Sequence, residues 1–245
     1  MNNQFVGDVG DYTKLGILRE LERAGFSIGI NWYKTPDDPQ KTGGSHTSFL
    51  DNEGTQPDHD LSKVLREIRK EILTRNLESL MNSGLFTRVE YYDEELDFHS
   101  SKDRKEKRKH WHEQALKKLQ KQNVVFLDPD NAFETKHIKS HHKKGNLYAG
   151  YEEAVDYYKA GASVIVYNHL PMRSFKNDFI EKRLRPMTSR ISIKPTDIFY
   201  VEANKYQVRY YLFLSQPEHT DKIKIVIDNM LKNGWSYYIE KYIHL

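Results

Sequence analysis

The chain has 245 residues, of which 38% are hydrophobic and 30% charged, and its formal net charge is +3. It contains no cysteine, which excludes disulfides, thiolate zinc sites and a cysteine nucleophile and is typical of a reducing compartment. No apolar run reaches the ~20 residues that cross a bilayer, and the first residues lack the apolar core of a signal peptide. These features predict a globular cytoplasmic protein without membrane contact, folded as a single domain over residues 1–245.

The first third of the chain predicts a helix, a strand, a long loop and a second helix. Leucines at helical spacing begin after Asp11, a candidate N-cap, and stop at Gly25. The apolar and aromatic residues 26–33 predict a strand, and residues 35–57, rich in Pro, Gly, Asp and Ser, predict a loop. Residues 61–81 carry apolar side chains at helical spacing and predict one long helix.

The rest of the chain continues this alternation of helices and strands, and near its end two strands follow one another directly. Strands that alternate with helices indicate βαβ units, so we predict an α/β, Rossmann-like three-layer sandwich with a mostly parallel sheet. Two adjacent strands near the end predict an antiparallel C-terminal edge. The predicted elements are a strand at 86–92, a basic helix at 107–122, a strand at 123–127, a charged loop at 134–145, a helix at 151–160, strands at 163–167, 198–202 and 207–215, a helix at 220–232 and a strand at 235–242.

Polar residues follow three of the predicted strands, where ligands of open α/β sheets bind. The sharpest of these clusters is Asp128-Pro129-Asp130-Asn131. Pro129 fixes its own φ and favours an extended Asp128, so the strand should reach Asp128 and then turn, with polar side chains directed into a cleft. An Asp-Pro turn with local hydrogen bonds explains the same string without any chemistry. The other two clusters begin with Thr35, Asp37 and Asp38, and with Asn168, His169 and the later Arg173.

The N-terminal string contains two glycines and two aspartates ahead of the first helix. Asp8, Asp11 and Lys14 lie at a spacing that lets them reach a ligand beside the strand ends. A capped turn at the start of the helix is an equally good explanation.

Basic residues concentrate in two segments of the chain, residues 102–122 and residues 173–194. Residues 102–122 hold nine Lys or Arg against three acidic residues, which favours contact with phosphate, although a solvated helix face is the alternative. His137, His141 and His142 resemble a metal cluster, but the lysines around them repel a cation, so we predict no metal there. The predicted contacts to a nucleic-acid backbone are Arg104, Lys105, Arg108, Lys109, Lys136, Lys139, Lys143 and Lys144.

Two of these strings resemble a family of ribosomal-RNA adenine methyltransferases with the class I methyltransferase fold. Gly7, Asp8, Asp11 and Lys14 match the opening string of that family, and the 126–131 segment is similar to its Asp-Pro-Pro-aromatic motif for a flipped adenine. The resemblance implies S-adenosylmethionine as cofactor. Two departures weaken methyl transfer: Trp32-Tyr33 and the residues after them replace a glycine-rich turn, and Asp130-Asn131 replace the second proline and the aromatic ring.

Acidic residues at a strand end suit hydrolysis better. The chain also resembles uracil-DNA glycosylases, which pair an Asp-Pro strand end with a later His-Pro-Ser strand end, here Asp128-Pro129 and His169-Leu170-Pro171. A metal nuclease in which Asp128, Asp130 and Glu134 hold Mg²⁺, and a non-catalytic nucleic-acid binder, are further alternatives.

The sequence therefore predicts a DNA glycosylase-type hydrolase, such as a small defence or modification enzyme, that excises a flipped base without a cofactor. Its partner is nucleic acid, with DNA favoured over RNA, and the protein is a monomer or a weak dimer. Asp128 is the expected central carboxylate, Asp130 and Asn131 hold water or base, and His169 assists the leaving group. The expected substrate contacts are Asp8, Asp11, Lys14, Trp32, Tyr33, Asp37, Asn168 and Arg173.

Overall fold

A computed structural model describes residues 3, 6–37, 46–70, 76–98, 102–169, 184–203, 205 and 208–244. Within these residues, none of the helices combines the length and the apolarity that crossing a bilayer requires. The helices are α1 (Val9–Arg23), α2 (His59–Lys70), α3 (Leu77–Met81), α4 (Arg104–Leu119), α5 (Tyr151–Lys159) and α6 (Pro217–Leu231). The strands are β1 (Ile28–Asn31), β2 (Val89–Tyr92), β3 (Val124–Leu127), β4 (Ala132–Phe133), β5 (Tyr148–Ala149), β6 (Ser163–His169), β7 (Ile198–Ala203), β8 (Arg209–Leu214) and β9 (Lys241–His244).

Seven strands form one sheet in the order β2-β1-β3-β6-β8-β7-β9. The first four run parallel, and β8, β7 and β9 add an antiparallel edge. The predicted α/β sheet with an antiparallel C-terminal edge is confirmed. The parallel strands are continuous apolar runs because helices cover both of their faces. A separate two-stranded ribbon pairs β4 with β5.

Two apolar cores lie on opposite faces of this sheet and produce the three layers. On one face α1, α2, α3 and α6 pack against side chains such as Ile30, Phe126 and Ile165. On the other face α4 and α5 pack against alternating neighbours such as Val125 and Val164. The two faces use alternate residues of the same strands because successive side chains of a strand point to opposite sides.

Several predicted boundaries are wrong, and three of them have an identifiable reason. Helix α1 begins one turn earlier than expected, because the Asp8 carboxylate accepts the Asp11 N–H and caps it. The single helix predicted at 61–81 is two helices, and α3 starts afresh where the Asn76 side chain accepts the Ser79 N–H. Residues 71–75 between them lie outside the described residues.

The last strand was predicted too early. Residues Gly234–Tyr237 form a 3₁₀ helix, and the strand β9 begins only at Lys241. Trp235 and Tyr238 are both buried in the α1-side core. Their spacing of three places both rings on one side of a 3₁₀ turn, whereas a strand would place them on opposite faces.

Candidate functional site

The carboxyl ends of β1, β3 and β6 lie side by side at one edge of the sheet. From β1 the chain goes to β2 on one side and returns to β3 on the other, so the topological switch point lies between β1 and β3. In open α/β sheets this is where ligands bind. The residues that follow these strands therefore define the candidate site.

Lys14 lies at the centre of this edge. Its Nζ is 2.7 Å from Asp11 Oδ1 and 2.7 Å from Asp128 Oδ2, and at most 5% of each of the three side chains is exposed. The other Asp11 oxygen accepts the Gly7 N–H at 2.7 Å. The Lys14 ammonium also lies over the ring of Trp32, 5.4 Å from its centroid. Lys14 thus joins the N-terminal string to the end of β3, 114 residues away.

Burial and charge act in opposite directions on this cluster. Burial raises the pKa of the Asp11 and Asp128 carboxyls, and the Lys14 ammonium opposes that rise. Burial alone would lower the pKa of Lys14, but the two carboxylates raise it, so Lys14 stays charged. Asp128 is thereby committed to a buried ion pair, whereas Asp130 and Asn131 beyond it are partly exposed.

A second group of hydrogen-bonded polar side chains lies across the ends of β6 and β8. The Arg209 Nε–H donates to Tyr167 Oη at 2.9 Å, and Tyr167 Oη lies 3.3 Å from His169 Nε2. The His169 backbone N–H donates to the Asn131 carbonyl at 3.3 Å, which brings the ends of β6 and β3 together. Burial, with help from Arg209, lowers the pKa of His169 to about 4 and outweighs a hydrogen bond to the Asp130 backbone. His169 is therefore neutral at pH 7.

The end of β1 adopts an unusual backbone conformation. Tyr33 has φ 46°, in the left-handed region that side chains other than glycine rarely occupy. Two contacts hold it there: its N–H donates to Asn31 Oδ1 at 3.2 Å, and its hydroxyl donates to Glu153 Oε2 at 2.7 Å. Its ring packs in the core under α4, so Tyr33 does not contact substrate as predicted. Trp32 lies on the opposite face, and its buried Nε1–H has no hydrogen-bond partner among the described residues.

Other predicted site residues have structural partners. The Asn168 side chain is fully buried, accepts the Phe133 N–H at 3.4 Å and donates to the Val166 carbonyl at 2.9 Å. It therefore anchors β4 and is not directed at a ligand. Asp37 accepts the Asn3 side-chain amide at 3.0 Å. Arg173, also predicted to bind substrate, lies outside the described residues.

The predicted phosphate contacts divide into one buried side chain and a surface group. Arg108 is 4% exposed; its Nε is 2.5 Å from Glu153 Oε1, and a second guanidinium nitrogen donates to Glu153 Oε2 at 2.8 Å. Because its donors face this carboxylate and the carbonyls of Gly145 and Tyr148, Arg108 cannot contact phosphate, and that prediction is wrong. The remaining predicted contacts are exposed or partly exposed: Arg104, Lys105, Lys109, Lys136, Lys139, Lys143 and Lys144.

The metal-nuclease alternative depends on three converging carboxylates. In the described part of the chain, no group of three His, Cys, Asp or Glu side chains is arranged to hold a metal ion. Glu134 accepts the Ser140 N–H at 2.9 Å within its own loop. It therefore serves as a loop anchor.

Tyr167 and Arg209 were not predicted from the sequence, although they support His169. Tyr167 precedes His169 by two residues in β6 and thus shares its face, so the strand alternation contained that signal. Arg209 lies opposite His169 on β8, a pairing that depends on the register of two distant strands.

No family model and no curated protein matches the chain. A crystal structure of protein LPL1258 from Legionella pneumophila str. Philadelphia 1, of the family DUF519, is similar over 98% of this chain and 96% of its own, with 12% identity and a TM-score of 0.46.

Proposed function

We propose that the protein excises a base from nucleic acid by hydrolysis of the N-glycosidic bond, at the adjoining ends of β3 and β6. The observation that carries this proposal is the hydrogen bond from the His169 backbone N–H to the Asn131 carbonyl at 3.3 Å, which brings the partly exposed Asp130 and His169 to adjoining strand ends. A carboxylate and a neutral imidazole on neighbouring strand ends match the two demands of base excision. One group stabilises the positive sugar, and the other supports the departing base.

In this reaction each of the three partly exposed side chains at the site, Asp130, Asn131 and His169, has a role. A flipped nucleotide places its sugar against Asp130, whose carboxylate orients water and stabilises the oxocarbenium-like transition state. The glycosidic bond breaks with its electron pair on the base nitrogen, and the water oxygen bonds to the anomeric carbon. The proton released by that water ends on the departed base. As negative charge develops, His169 exchanges its hydrogen bond to the Asp130 backbone for one to the departing base, and Asn131 binds the edge of the base.

Asp128 has a different role from the one expected from its sequence. Its burial and its bond to Lys14 make it a support for the turn that carries Asp130, and we assign the central carboxylate to Asp130. We therefore expect the reaction rate to depend on Asp128 through its bond to Lys14, and on Asp130 through the protonation state of its own carboxyl group.

The experiment is an excision assay in EDTA on oligonucleotides that carry uracil, deaminated or alkylated bases, in DNA and in RNA. Alkali-labile abasic sites measure base release. Asp130→Asn and His169→Asn should each lower the rate about 10²- to 10⁴-fold, as expected for loss of a positioned acid–base group. Asp93→Asn, at the carboxyl end of the parallel edge strand β2, is the matched control and should keep the wild-type rate. Equal rates in all three variants would remove the proposal.

Methyl transfer is the second candidate, and one observation favours it. The two strings that resemble the adenine methyltransferases are in contact through Lys14 and Asp128. Against it, the buried Trp32 and Tyr33 occupy the turn after β1 where that family has glycines. Calorimetry with S-adenosylmethionine distinguishes the two reactions: excision predicts no binding, and saturable micromolar binding would replace excision with methyl transfer.

A further inference from the structure

A basic surface lies at the same edge of the sheet as the candidate site, on the face covered by α4 and α5. We define it by six side chains that are exposed or partly exposed. The helix α4 leads directly into β3, so it runs antiparallel to that strand and begins near the carboxyl ends of the parallel strands. The loop 134–145 also starts from this edge, just beyond β3 and β4. The basic surface consists of Arg104, Lys105, Lys109, Lys136, Lys143 and Lys144.

The buried Arg108 fixes the two halves of this surface to each other. From the second turn of α4 its guanidinium donates to the Gly145 carbonyl at 3.2 Å and to the Tyr148 carbonyl at 2.8 Å. The same group holds Glu153 of α5 through two further hydrogen bonds. The end of the basic loop is therefore docked on the helix that carries the other half of the charge.

The loop is also ordered by its own hydrogen bonds. Thr135 Oγ1 accepts the N–H groups of His137 and Ile138, at 3.2 and 3.0 Å. Glu134 accepts the Ser140 N–H, and His142 Nδ1 accepts the Lys139 N–H at 3.2 Å. A loop that is already ordered loses little conformational entropy when it binds a partner.

The surface carries more positive charge than its own acids neutralise. Lys109 lies 4.0 Å from Glu113, while none of the ion pairs formed by described residues involves Lys136, Lys143 or Lys144. Clustered like charges repel one another, and a polyanion relieves that repulsion while releasing its own counterions.

We infer that the basic surface binds the sugar-phosphate backbone of a nucleic acid and holds the strand so that a flipped base enters at the ends of β3 and β6. The entry of a flipped base at the ends of β3 and β6 rests on the proposed function, whereas the binding of the sugar-phosphate backbone does not. The contacts are to phosphate, so binding is independent of base sequence and depends steeply on salt.

Fluorescence anisotropy of labelled 20-nucleotide DNA, single-stranded and duplex, measures this binding from 50 to 300 mM salt. The triple variant Lys136→Ala, Lys143→Ala, Lys144→Ala should bind at least about tenfold more weakly at 50 mM. Its slope of log affinity against log salt should be smaller by about 2–3, since each of the three lost phosphate contacts removes roughly 0.7–0.9. The exposed triple Lys63→Ala, Lys70→Ala, Lys232→Ala, on the opposite face, is the control and should match the wild type.

Two results would overturn the inference: equal affinities and slopes for the loop variant and its control, or competition by polyglutamate as effective as by unlabelled DNA. Base release is followed in parallel on the same variants. Release with unchanged binding refutes the surface alone, and salt-dependent binding through the loop without any release refutes the proposed function alone.

Discussion

In the second turn of α1, a single buried ammonium group is the shared partner of two buried carboxylates. Lys14 contacts Asp11 one turn earlier in its helix and Asp128 at the end of β3, and all three side chains are buried. A buried ion pair adds little stability over a well-packed apolar equivalent, but removal of one partner leaves an uncompensated charge in the interior. The contribution of Lys14 to the free energy of unfolding is therefore best measured by replacing Lys14 alone.

We expect Lys14→Met, which keeps much of the side-chain volume, to lower the free energy of unfolding by about 3–5 kcal/mol. Urea denaturation at pH 7 measures the change. Lys70→Met, on the exposed part of α2, is the matched control and should stay within about 0.5 kcal/mol of the wild type. The triple variant Lys14→Met, Asp11→Asn, Asp128→Asn should recover a large part of the loss, and a Lys14→Met protein as stable as the control would contradict a buried ion pair.

His169 should make stability depend on pH in a defined direction. Its pKa is lowered to about 4 in the folded protein, below the ordinary value near 6.5, so the unfolded chain binds its proton first as the pH falls. The stability is fully present above pH ~6.5 and is lost as the pH falls toward 4. From pH 7.5 to 4.5 this one group should cost about 2.5 kcal/mol.

The comparison that isolates His169 is the same pH series on His169→Asn, because carboxyl groups titrate in the same range in both proteins. Urea denaturation should show a shallower loss of stability in the variant. Parallel curves for the two proteins would mean that His169 is not held neutral.

At the scale of the secondary-structure elements, close packing decides where α1 lies. Gly16 faces the indole ring of Trp235, and a Cβ at this position would lie 2.0 Å from the ring carbon Cη2. The 3₁₀ helix Gly234–Tyr237 thus approaches the backbone of α1 at a point where only glycine fits. A helix-interior glycine normally weakens its helix relative to alanine, so here tertiary contact overrides propensity.

Gly16→Ala should therefore destabilise the protein, although alanine is the better helix former. Overpacking of this kind costs about 1–3 kcal/mol, and the severity of the clash favours the upper end. Thermal and urea denaturation check it. Gly54→Ala, whose Cβ would meet its nearest neighbour at 3.6 Å on the exposed surface, is the control and should change little. A more stable Gly16→Ala protein would refute the close approach of Trp235.

The elements were more predictable than their contacts. Apolar content located β1, β3 and the β7–β8 pair, because both faces of these strands are buried. It could not reveal that Arg108, in a string of surface charges, is buried against Glu153 of another helix. Nor could it show that Lys14 reaches Asp128, since that contact depends on how α1 crosses the sheet. The neighbourhood of Asp130 and His169 was predictable because ends of parallel strands share one edge.

At the scale of the whole molecule, two cores share one sheet. Alternate residues of β3 and β6 belong to different cores, so neither core persists if these strands separate. Because a boundary between the cores would have to split these central strands, we expect the two cores to unfold together.

The tryptophans allow a direct test of that cooperativity. Trp235 lies in the core beside α1 and Trp111 in the core beside α4. A variant that keeps Trp111 alone (Trp32→Phe, Trp235→Phe) and one that keeps Trp235 alone (Trp32→Phe, Trp111→Phe) should each show the same urea midpoint by fluorescence and by far-ultraviolet circular dichroism. A fluorescence transition at lower urea in either variant would indicate that its core unfolds separately.

The position of β8 between β6 and β7 has a consequence for the chain as it leaves the ribosome. When β6 has just emerged, the four parallel strands already synthesised end in an open hydrogen-bonding edge, since the neighbour of β6 lies about 40 residues further on. That edge stays available to other nascent chains until β8 is translated and fills the space. Interruption of translation within β7 would therefore leave the species most prone to associate, and translation of the β7–β8 hairpin would protect it.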